Sequence, residues 1–99
     1  MGRQAAVEAM ALRAWALAAL GKRLEAEVAV QRALDGIDQG CPPVVAGIYW
    51  RIGMALERAD NHNAAMLHFR NATMLDSQGK YGNWSRMQLA QHKAWGVGA

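Results

Sequence analysis

The chain is expected to be all-α: two antiparallel helical hairpins closed by one C-terminal helix. Three observations lead there. Apolar residues recur at helical spacing, most clearly at Tyr49, Ile52, Gly53 and Leu56 and again at Ala65, Phe69 and Ala72. Between those two series lies a polar turn, Asp60-Asn61-His62-Asn63, so the segment 49–76 folds back on itself. The composition is 53% apolar and rich in Ala and Met, with Val and Ile too few and too scattered for a sheet. Ninety-nine residues suit one small domain, near the lower limit for a self-sufficient core.

Helix one spans Gln4 to Leu20, with Val7, Met10, Ala14 and Leu17 as its stripe. The other side carries Leu12, Trp15 and Ala19, and Glu8 and Arg13 are the only charges between residues 5 and 21. A helix apolar nearly all round is covered on more than one side, by neighbouring helices or by another chain. Gly21-Lys22-Arg23 makes the turn into helix two, Leu24 to Leu34. In the connector from Asp35 to Pro43, Gly36 would end helix two in a left-handed cap, and Pro42 and Pro43 would delay the next helix.

Helix three runs from about Val44 to Arg58 and helix four from about Asn63 to Asp76, with Gly53 and Ala65 at the closest approach. After the break Ser77 to Asn83, Asn83 is the expected N-cap of helix five, Trp84 to Trp95. The stripe of helix five would be Trp84, Met87, Gln91 and Trp95, with one side half wet, before a frayed tail, Gly96 to Ala99. Met10, Met66, Met74 and Met87 fall at helical phase and read as core filling.

The hairpin at 49–76 resembles the repeat of the tetratricopeptide (TPR) family, W-x2-L-G-x2-Y followed by A-x3-F and P. Here Tyr49-x2-Ile52-Gly53-x2-Leu56 precedes Ala65-x3-Phe69, with Ala72 beyond it and Ser77 where the family has its proline. Gly21, Glu25-Ala26 and Ala33-Leu34 repeat the pattern upstream, with Val30 in place of the aromatic and Arg13-Ala14 in place of the apolar-glycine pair. The resemblance implies a TPR-like α-solenoid: repeat one over about 4–35, repeat two over about 44–77, and a capping helix over about 84–95. The step from Ala26 to Ala65 exceeds the family's repeat of about 34 residues by about five.

In that family partners lie against the first helix of each repeat, on the face turned from the second helix. Carried over, the face comprises Glu8, Ala11, Leu12, Trp15 and Ala19, then Trp50, Arg51, Met54, Glu57 and Arg58. Helix five adds Ser85, Leu89, His92 and Lys93. The partner-binding set singled out from these is Leu12, Trp15, Trp50, Arg51, Met54, Arg58 and Leu89. Part of it stands without the family. Trp50 and Met54 are four apart and point roughly 100 to 140° from Tyr49 by the 3.6-residue period, flanked by Arg51 and Arg58. Off-stripe aromatics rimmed by Arg suit a helix- or peptide-binding groove. The plainer alternative is that Trp15 and Trp50 pack between adjacent hairpins. A carboxylate clamp of the family's type would need Lys and Asn where Ala11, Trp15, Trp50 and Met54 stand, so the expected ligand is mainly apolar.

The implied function is a non-catalytic protein-interaction module or scaffold, with self-association or membership of a longer array because two repeats make a short stack. The other readings are the ligand-sensing helical-repeat part of a bacterial transcription regulator and a small secretion-type chaperone. The net charge of +3 is spread over single or paired Lys and Arg, against the clustering a nucleic-acid surface needs. His62, His68 and His92 lack metal-ligand spacing and read as surface or turn residues, so no metal or cofactor is expected. Lone Cys41 rules out an internal disulfide and fits a reducing, cytoplasmic setting, and no nearby base marks it as a nucleophile. No phosphate loop or carboxylate pair is visible, and no catalytic residue is assigned. Asn71-Ala72-Thr73 matches a glycosylation triplet inside a helix, Ala9 to Leu20 is too interrupted by charge for a signal peptide, and no run is long enough to span a bilayer.

Overall fold

The computed structural model describes residues 3–37 and 41–94, and these form helices joined by short turns, with no strand among them. The helices are α1 (Arg3–Ala19), α2 (Arg23–Gly36), α3 (Pro42–Arg58), α4 (His62–Leu75) and α5 (Lys80–Ala94). α1 packs on α2, and α3 packs on α4. The two pairs join chiefly through α1 on α3, while α5 lies on α4 and α3. None of the helices is long and apolar enough to cross a membrane.

Both hairpins close with the same turn. After α1, the Lys22 N–H donates to the Leu17 carbonyl at 2.9 Å and Gly21 to Ala18 at 3.0 Å, with Gly21 at φ 81°. After α3, Asn61 donates to Leu56 at 2.8 Å and Asp60 to Glu57 at 3.1 Å, with Asp60 at φ 62°. This pair of bonds around one left-handed residue satisfies carbonyls the helix end would leave open. Glycine takes that conformation freely, and aspartate is among the few other residues that tolerate it.

The core forms where the small residues let helices approach. Ile52, Gly53 and Leu56 of α3 meet Ala65, Phe69 and Ala72 of α4, all buried, as the 3.6-residue period predicts. Gly53 faces the Phe69 ring so closely that a Cβ there would stand 2.5 Å from a ring carbon. Ala11, Ala14, Ala29 and Ala33 do the same work between α1 and α2, and Ile48 fills the centre.

Several expectations are corrected. Gly36 is not a left-handed cap: it is the last residue of α2, and Ile37 follows in extended conformation. Its missing side chain matters instead for packing, since a Cβ would come within 2.7 Å of Val7 Cγ2. Pro42 and Pro43 do not delay α3 but form its first turn, where an absent N–H costs nothing. Asn83 is no N-cap: α5 begins at Lys80, and the Asn83 N–H donates to the Gly79 carbonyl at 3.0 Å.

The phase of α5 also differs from expectation. Gly82, Ser85 and His92 are buried, with Leu89 half-buried beside them, while Trp84 and Met87 are exposed. Gly82 sets this rotation, because a Cβ there would collide with the Asp76 backbone carbonyl. Met74 is likewise exposed rather than core. Trp95 and the tail 96–99 lie outside the described residues, as do the side chain of Lys93 and residues 38–40 of the connector.

His68 is buried, not a surface residue, and its ring stacks on Tyr49 with centroids 5.7 Å apart and planes 11° apart. Burial disfavours the charged imidazole and lowers its pKa from the ordinary value. The unfolded chain therefore binds a proton below about pH 6.5 that the folded chain refuses, so stability falls as pH drops through that value and is flat above it. The melting temperature should decline from pH 7 towards 5 more steeply in the wild type than in His68→Gln. Parallel pH profiles would remove His68 as the cause.

Candidate interaction face

Aromatic rings from α1, α3 and α5 form one connected series. Trp15 of α1 meets Trp50 of α3 edge to face, with centroids 5.3 Å apart and planes at 88°. Trp50 in turn touches Trp84 at 4.9 Å and Tyr81 at 5.6 Å, both from the first turns of α5. Tyr81 and Trp84 are themselves perpendicular at 5.6 Å. Tilted and edge-on pairs bring the positive rim of one ring to the negative face of the next, each adding about 0.5–1.5 kcal/mol beyond burial.

Cations cover this series on the α3–α5 side. Arg51 donates from Nη2 to the Tyr81 hydroxyl at 3.0 Å, and its guanidinium carbon lies 5.1 Å from the Tyr81 ring centre. Lys80 Nζ lies 4.9 Å from the Tyr81 ring and 5.3 Å from that of Trp84. Gly47 makes room for the arrangement, since a Cβ there would stand 2.8 Å from the Tyr81 ring and 2.9 Å from Arg51 Nη1. Trp84 is 40% exposed, and Leu12 on α1 is 48% exposed.

Of the residues singled out from sequence, Trp15 of α1 and Trp50 and Arg51 of α3 are brought together here, and Leu12 shares α1 with Trp15. Trp15 and Trp50 are half-buried and pack between the hairpins while still bordering solvent. The Trp50 Nε1–H is buried with no acceptor among the described residues, so packing alone holds the ring. Met54 and Leu89 are half-buried against the core. Arg58 is exposed in the last turn of α3, where its charge complements the helix dipole. Ala11, Ser85 and His92 leave the proposed face, because all three are fully buried.

Lys80, Tyr81 and Trp84 were missed as face residues. The signal existed, since Lys80-Tyr81 and Trp84 stand at helical spacing, but the expected break before helix five takes in Lys80 and Tyr81, and its expected packing stripe takes in Trp84. A second grouping was also missed. Glu57 at the end of α3 has Oε1 at 2.5 Å from His62 Nδ1 and Oε2 at 2.7 Å from His92 Nε2. Glu57 therefore belongs with two histidines rather than with the aromatic face. Comparison with protein-family models, with curated proteins and with solved structures gave no match.

Proposed function

We propose that the chain is a non-catalytic, TPR-like interaction module that holds an apolar helical or extended segment of a protein partner against α1, α3 and α5. The observation that carries this is the aromatic series Trp15, Trp50, Tyr81 and Trp84, which crosses all three helices and is open to solvent at Trp84. Rigid, partly exposed aromatics offer large contact area at little entropic cost, and Arg51 and Lys80 at their edge orient a partner's acceptors. The repeated turn geometry of the two hairpins favours a repeat origin, and α1, α3 and α5 are the first helices of successive units in that reading.

Self-association or extension into a longer array belongs to the same proposal. The outer side of α1 leaves Leu12, Ala16 and Ala19 exposed, with Leu20 exposed in the turn beyond it, an end that a further helix pair would cover. A strict monomer at high concentration by light scattering would remove this part.

Pull-down from the native host with wild type, Trp50→Ala and Trp84→Ser tests the main reading. Truncating an interface tryptophan costs about 2 kcal/mol or more, about thirtyfold in affinity. Trp84 is 40% exposed but also packs on Trp50, so loss of capture by Trp84→Ser reports the face itself when its helical circular dichroism and melting temperature match the wild type. Capture unchanged in both variants would move the site elsewhere.

A further inference from the structure

We propose that Glu57, His62 and His92 form a binding site for one Zn2+ ion. The three side chains come from three elements: the C-terminal turn of α3, the first residue of α4 and the C-terminal half of α5. One ligand atom from each lies within 4.8 Å of the others. Two imidazoles and a carboxylate are a donor set that zinc accepts with a fourth position left open. Tetrahedral bonds of about 2.0–2.2 Å set neighbouring donors about 3.3–3.5 Å apart. Glu57 now meets the two imidazoles through different oxygens, Oε1 at 2.5 Å from His62 Nδ1 and Oε2 at 2.7 Å from His92 Nε2, so an ion enters by parting these contacts by about 1 Å.

The surroundings suit a built site. The His92 side chain is fully buried, that of Glu57 is 13% exposed, and that of His62 is 40% exposed. Two ligands are thus held by packing, and the open position falls on the His62 side. His62 turns Nδ1 towards Glu57 and Nε2 towards Asp60 Oδ1, 4.0 Å away. At that distance Asp60 is a charged neighbour of the imidazole and not a hydrogen-bond partner. The other carboxylate oxygen of Asp60 is held by Arg23 Nη2 at 2.8 Å. The left-handed conformation of Asp60 aims it, since it reverses the chain directly between Glu57 and His62. An ion here would pin the C-terminal half of α5 to the α3–α4 turn.

Isothermal titration of the intact chain with ZnCl2 tests this, in a Cys41→Ser background because Cys41 is an exposed thiol that could compete. The expected result is one Zn2+ per chain with a Kd of about 1 μM or tighter. Co2+ in the same site should show the visible absorption of a four-coordinate ion. Glu57→Gln and His62→Ala should each weaken binding at least about a hundredfold. The His62 side chain is 40% exposed at the first residue of α4, so His62→Ala keeps the fold even where Glu57→Gln disturbs it. No heat up to about 1 mM Zn2+, where Kd corresponds to only about −4 kcal/mol, overturns the proposal. So does wild-type affinity in His62→Ala.

Discussion

Phe69→Ala is expected to remove about 3–5 kcal/mol of stability, the loss typical of a large-to-small change at a fully enclosed aromatic. Phe69 is 0% exposed and is the largest of the fully buried side chains. Its ring lies against Gly53 across the α3–α4 interface, which carries the central hairpin. Ile52 and Ala65, which share its core cluster and would have to collapse into the void, sit on helices whose backbones are already close at Gly53. A domain of this size has only about 5–15 kcal/mol in total. The variant should therefore be marginal at room temperature, which urea unfolding followed by circular dichroism would read. A loss below about 1 kcal/mol would show that the ring is not enclosed as described.

Gly53→Val attacks the same contact from the other side and should cost about 3 kcal/mol, the upper end for overpacking. The added Cβ would stand 2.5, 2.8 and 2.9 Å from three atoms of the Phe69 ring. The ring is rigid and sealed, so relief requires the helices to part. Valine regains only a few tenths of a kcal/mol over glycine in helix propensity, too little to offset the collision. The two sites must then couple. Phe69→Leu, which takes away the offending ring edge, should restore part of what Gly53→Val loses, and the double variant should fall short of the summed losses. Strict additivity, within about 0.5 kcal/mol, would mean that Gly53 and Phe69 are not in contact.

The proposed interaction face and the proposed zinc site sit at opposite ends of α5. Tyr81 and Trp84 hold its first turns to α3 through Trp50, and His92 holds its far half through Glu57. A partner seated on the aromatic series would thus meet a helix fixed at both ends.

Much of the fold was legible because it is local. The stripe Ile52, Gly53 and Leu56 and its complement Ala65, Phe69 and Ala72 follow from the helical period, and a short polar turn leaves the two helices no arrangement but antiparallel. Trp50 and Arg51 could be set off that stripe for the same reason. The phase of α5 was not legible, because the large apolar residues Trp84 and Met87 suggested a buried side that the small residues Gly82 and Ser85 actually occupy. A period drawn through the largest residues fails where close approach, rather than bulk, decides which side turns inward.

The sequence by itself determined the helices of the described residues, their pairing into hairpins and the residues between α3 and α4, since each depends on neighbours within one or two turns of chain. Only the tertiary structure decided which rings gather around Trp50 and that Glu57 meets both His62 and His92. Those groupings join side chains from separate helices, and their geometry is set by how closely the backbones between them can approach.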